Sequence, residues 1–201
     1  IKDVSMTIEP DSKILILGSN GSGRSTLLRL IAGILEPDQG NIFVNNVSLS
    51  GINLKAYRSQ LGHSLTEEYP FEGTILDNIT FGNKDISMED VYWALDKVGL
   101  SEFVKEQPKG LQTVLYPEGK KIPDYISRKI VLARSVVIRP KLMVLKDPLD
   151  QCDDEETKEI MRFLADPENG WALVVVSENP EWKKYCNKIV KMEKGEMINL
   201  T

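Results

Sequence analysis

Apolar residues along this chain fall into three kinds of pattern, and each predicts a different element. Uninterrupted runs are the first kind. Lys13-Ile14-Leu15-Ile16-Leu17, Leu142-Met143-Val144-Leu145 and Ala172-Leu173-Val174-Val175-Val176 show no alternation, which marks strands covered on both faces and so a parallel sheet between helical layers. Helical spacing is the second kind, over residues 25–32, 88–98, 101–106, 128–139 and 154–165. The first of these helices ends on Gly33 with Pro37 beyond, a C-cap followed by a breaker. Short alternating stretches are the third kind. Ile42-Phe43-Val44 and Val47-Ser48-Leu49 flank Asn45-Asn46 as one hairpin, and residues 188–192 and 197–200 flank Gly195 as another. Residues 1–8 alternate like a strand already in progress.

Between the first apolar run and the first helix lies Gly18-Ser19-Asn20-Gly21-Ser22-Gly23-Arg24-Ser25. Strand, glycine loop and helix in that order are the setting of a P-loop, in which the strand aims the loop and the helix N-terminus supplies its dipole and free amides. Backbone amides from Asn20 to Ser25 are then expected to wrap a phosphate, with Thr26 beside them. The basic side chain reaches the β- and γ-phosphate oxygens, and the Ser25 hydroxyl is offered to Mg²⁺. Arg24 stands where the pattern has Lys, exchanging a compact ammonium for a broad planar fork.

Composition narrows the class. With 201 residues, 41% of them hydrophobic, the chain can bury the core of one domain, alone or with an inserted subdomain. A net charge of −5 argues against a dedicated nucleic-acid surface. Cys152 and Cys186 have no metal-ligand spacing and read as ordinary thiols of a reducing compartment. No apolar run reaches the roughly 18 residues that span a bilayer, so the chain itself is expected to be soluble. Its start at Ile1 suggests a piece of something longer.

Order and spacing over nearly the whole length resemble the nucleotide-binding domain of ABC transporters, of the exporter branch. The likeness rests on Ser22-Gly23-Arg24-Ser25-Thr26-Leu27-Leu28 with Ala32-Gly33 and Pro37-Asp38-Gln39-Gly40-Asn41-Ile42. Further along it rests on Gly73-Thr74-Ile75-Leu76-Asp77-Asn78-Ile79 and Pro108-Lys109-Gly110-Leu111-Gln112-Thr113-Val114, and then on Leu132-Ala133-Arg134-Ser135 with Arg139-Pro140-Lys141. The resemblance implies an α/β P-loop NTPase fold: a mostly parallel sheet core, an N-terminal antiparallel β portion, and a helical subdomain inserted at about residues 76–139. It implies ATP as ligand and two partners, the transmembrane domain of the same transporter and a second nucleotide-binding domain in a homo- or heterodimer. It also implies a place at the cytoplasmic face of a membrane.

The motifs that carry hydrolysis in that family depart from its pattern. Its Q-loop glutamine falls on Thr66, which would still offer the metal a hydroxyl oxygen. Its Leu-Ser-Gly-Gly-Gln signature falls on Ile122-Pro123-Asp124-Tyr125-Ile126, where Asp124 adds charge and Tyr125 adds bulk. The metal-holding Asp of Walker B becomes Lys146, and Asp147 takes the place of the catalytic Glu with a shorter side chain. A one-residue bulge would instead present Asp147 to the metal, but the seven-residue step to the D-loop fits Lys146 to Asp153. The switch histidine falls on Glu178, and His63, the sole histidine, reads as a strand-end residue.

Losing one positioned group commonly costs about 10²- to 10³-fold in kcat, and several lost together leave little above background. The sequence therefore predicts a degenerate nucleotide-binding domain with negligible hydrolysis of its own. Lys146 would repel Mg²⁺ and attract nucleotide, so binding is expected without the metal. Two other readings stay open: a transport ATPase whose shared sites an intact partner completes, and a soluble P-loop protein acting on nucleic acid or protein complexes, which the acidic balance and the exporter-like segments disfavour.

Overall fold

A computed structural model describes residues 1–65, 68–149 and 155–200. The strands are β1 (Lys13–Gly18), β2 (Phe43–Val44), β3 (Val47–Ser48), β4 (Leu61–Ser64), β5 (Gly73–Thr74), β6 (Val114–Leu115), β7 (Leu142–Lys146), β8 (Ala172–Val176), β9 (Lys188–Glu193) and β10 (Glu196–Asn199). The helices are α1 (Arg24–Ile31), α2 (Leu54–Arg58), α3 (Ile75–Thr80), α4 (Met88–Lys97), α5 (Ser101–Glu106), α6 (Asp124–Val136) and α7 (Glu155–Ala165).

The uninterrupted apolar runs form the middle of a six-stranded sheet of order β10-β9-β1-β8-β7-β4. All neighbours in it are parallel except β10, which returns antiparallel along β9. Because side chains alternate across a strand, each run feeds two cores at once. Ile14 and Ile16 of β1, with Val174 and Val176 of β8, pack against Leu27, Leu28 and Ile31 of α1. Leu15, Leu145, Leu173 and Val175 face the other way, into a core shared with α3, α4, α6 and α7. A strand buried on both faces has no polar position to spare, which is why these runs show no alternation.

Between β4 and β7 the described chain is mostly helical, and α6 is the longest element there. This helix starts at Asp124, four residues before the expected 128, because Pro123 at its cap (φ −57°) and an Asp124–Arg128 pair at 2.8 Å extend it backwards. It stops at Val136, short of the expected 139, where Arg139 turns left-handed (φ 50°) ahead of Pro140. Arg134 ties α6 to α3, donating from Nε to the Asn78 carbonyl at 2.8 Å and lying over the Phe81 ring. α3 opens with a capping box in which Thr74 and Asp77 satisfy each other's backbone.

Residues 1–8 form no strand. Their alternation has another cause: Val4, Met6 and Ile8 lean on the α1-side core while their neighbours face solvent. The hairpin at Asn45-Asn46 does form, both asparagines being left-handed (φ 49° and 65°), but it stands apart from the main sheet. No helix among the described residues is long and apolar enough to cross a membrane. Cys186 is a half-buried free thiol whose pKa burial pushes up to about 12, as an inert packing group requires. Cys152 lies outside the described residues.

Candidate nucleotide site

Parallel pairing collects the sequence's candidate residues at one edge. Ile16 of β1 and Lys146 of β7 both stand across from Val176 of β8. The chain therefore leaves all three strands on the same side, into the glycine loop after Gly18, into Asp147, and into Ser177 and Glu178. The crevice beyond the carboxyl ends of such a sheet is where this architecture binds ligands.

The loop has the backbone of a phosphate cradle. Gly18 (φ 150°) passes so close to β9 that a Cβ there would lie 2.5 Å from the Met192 carbonyl and 2.7 Å from Ser22 Oγ. Gly23 (φ 101°) occupies the N-cap of α1, and a Cβ there would meet Ile1 at 2.6 Å. No side chain caps this helix among the described residues, and its first turn holds no acid, so the opening amides and the positive dipole end face the loop. The turn of the last hairpin braces the loop from behind, the Gly195 amide donating to the Ser22 carbonyl at 3.1 Å.

Two buried side-chain atoms support a ligand here. Ser22 Oγ and Arg24 Nη1 have no hydrogen-bond partner among the described residues, although Ser22 is 3% and Arg24 6% exposed. Orphaned buried donors are costly, at about 1–3 kcal/mol each, and an anion in the loop would satisfy both. Ser19, Asn20 and Gly21 are exposed along the rim, while Ser25 and Thr26 lie half-buried on the first turn of α1. The residues present therefore fit a phosphate.

The residues expected at the catalytic positions are arranged differently. Arg24 Nη2 lies 3.3 Å from Glu178 Oε1, so the loop's cation and the residue expected at the switch-histidine position form an ion pair. Neither motif alone shows this pair; its signal in the sequence is opposite charge at two positions that the adjacent strands β1 and β8 bring together. Lys146 ends β7, two strands from β1 and hence roughly 10 Å across the sheet. Asp147 follows in a left-handed conformation (φ 44°), its amide held by the Val176 carbonyl at 2.8 Å and its carbonyl by Arg128 Nη1 at 3.3 Å. Thr66 and Asp153 lie outside the described residues.

Of the residues expected at the signature, Asp124 is engaged by Arg128 and Tyr125 is exposed. His63 sits near the end of β4 with Nδ1 3.1 Å from Glu68 Oε1. No cluster of three or more His, Cys, Asp or Glu side chains suited to a metal occurs among the described residues. A cavity of about 480 Å³ lined by Asp11, Lys13, Arg162 and Tyr185 opens by the start of β1, at the other end of the strand from the loop.

Known proteins resemble the chain over nearly its whole length. A family model described as ABC transporter matches residues 1–150. The chain is 26% identical over 197 residues to a probable ABC transporter ATP-binding/permease protein of Haemophilus influenzae, covering 98% of this chain and 36% of that protein. It is 28% identical to the cyclolysin secretion/processing ATP-binding protein of Bordetella pertussis, again over 98% of this chain but 28% of that one. The chain thus spans only about a third of the length of such relatives. A bacterial Atm1-family ABC exporter solved with ATP bound superposes with a TM-score of 0.87 at 21% identity, over 96% of this chain and 34% of that one, which shows the shared fold.

Proposed function

This chain belongs to the ABC transporter family, and from that premise we propose that it is the ATP-binding domain of an exporter in which the phosphate cradle is kept and the hydrolytic groups are not. One observation carries the reading: the loop edge retains buried, unpartnered donors at Ser22 and Arg24, while the neighbouring strand ends present Lys146 and Glu178 where an acid and a histidine are needed.

In this reading Gly18, Ser19, Asn20, Gly21, Ser22, Gly23, Arg24, Ser25 and Thr26 hold the phosphates, and Lys146 supplies positive charge in place of a divalent ion. Ser25 offers the hydroxyl that would ligate Mg²⁺ were the ion bound, and Asp147 is a weak general base whose backbone is held at the strand end. Residues 1–201 form one nucleotide-binding domain, with a helical subdomain at about 76–139. Its partners are a transmembrane domain of the same transporter and a second nucleotide-binding domain, and its place is the cytoplasmic face of a membrane.

The intact cradle also favours a second reading, an ATPase site completed by a partner's signature motif. Steady-state hydrolysis separates the two. Negligible turnover with the rest of the transporter present supports the degenerate domain, whereas turnover abolished by Arg24→Ala in that assembly supports the shared site.

A further inference from the structure

The Arg24–Glu178 pair divides the guanidinium between two environments. Nη1 is buried with no partner among the described residues, and Arg24 Cδ and Ser22 Oγ crowd the position that a Cβ on Gly18 would take. Nη2 reaches outward to a carboxylate whose side chain is 69% exposed, against 7% for the arginine. The buried inner arm of the fork is thus unpartnered among the described residues, and the outer arm is taken by Glu178.

A P-loop cation ordinarily spans the β- and γ-phosphates. Here the outer arm already holds an anion that belongs to the chain. We infer that Glu178 occupies the place of a γ-phosphate, making this a site for nucleoside diphosphates in preference to triphosphates. The inference rests on the nucleotide-binding reading above. A diphosphate would use the inner arm, Ser22 Oγ and the first amides of α1 without disturbing the ion pair. A triphosphate would bring its terminal charge against the Glu178 carboxylate, or displace it from Arg24 and forfeit the pair. Exposure of Glu178 makes this a matter of preference, because solvent and salt screen the repulsion. Arg24 and Glu178 are then two halves of one change of specificity.

The test is calorimetric titration of the full chain with ADP and with ATP, in EDTA at low salt. ADP is expected to bind at least about tenfold more tightly than ATP, a difference of about 1.4 kcal/mol. Glu178→Gln, at an exposed position that does not threaten folding, should close most of that gap by tightening ATP binding. Equal affinities in the parent chain, or a gap that survives Glu178→Gln, would overturn the inference and leave the nucleotide-binding reading standing. Binding of neither nucleotide would remove both.

Discussion

The phosphate loop and the ends of β7 and β8 share one edge of one sheet, yet they preserve different things. In the loop, function is carried by backbone: three glycines with positive φ, an N-cap without a side chain, and amides that any sequence able to take this path would present. At the strand ends function is carried by side-chain identity, and in the proposed reading Lys146, Asp147 and Glu178 stand where hydrolysis needs other groups. On that reading binding and catalysis are separable in this fold. The strands position these slots whatever side chains fill them, and a cradle built from amides would outlast a loss of chemistry beside it.

Damage to the backbone side should have the largest effect. Gly18→Ala drives a methyl into the Met192 carbonyl and Ser22 Oγ at a left-handed position, and is expected to cost about 3 kcal/mol of unfolding free energy in a urea melt and to abolish nucleotide binding. A smaller effect is expected away from the loop, where Lys129 of α6 is buried against Glu156 Oε2 at 2.7 Å. Glu156→Ala leaves that ammonium with the Gly99 carbonyl at 3.4 Å, and should destabilise by about 1–2 kcal/mol, since Glu156 is half exposed, without altering nucleotide affinity.

Changing a side chain at the catalytic edge should alter dependence on metal rather than folding. Lys146→Asp is expected to make nucleotide bind about tenfold more tightly in Mg²⁺ than in EDTA, about 1.4 kcal/mol, where the parent shows no such difference. The smallest effect concerns the helical frame. Thr74 holds Asp77 below the ordinary aspartate pKa of 3.8, so the stability it adds is complete above that pH and lost as pH falls through the lower folded value. Asp77→Asn should therefore weaken the protein at neutral pH, and the difference from the parent should shrink in acid unfolding curves below pH 3.8.

The contrast between the two regions also accounts for what the residues disclosed unaided. The central strands and the cradle were legible because their signals are local: unbroken apolar runs, and glycines spaced for a tight turn before a helix. The start of α6 was not, since Pro123 and the Asp124–Arg128 pair nucleate a turn that apolar periodicity does not register. Residues 1–8 misled for the opposite reason, alternating because they lie on a core and not because they pair. The Arg24–Glu178 contact joins positions 154 residues apart, and only the parallel packing of β1 against β8 brings them together.

The most direct test of the separation between binding and catalysis is the affinity of the full chain for ATP, measured calorimetrically once in Mg²⁺ and once in EDTA. Binding of equal strength in both, with no heat of hydrolysis, is the result expected of a cradle that works without its metal. Binding seen only with Mg²⁺ would mean that Asp147 or another carboxylate still serves the ion, and would contradict the account.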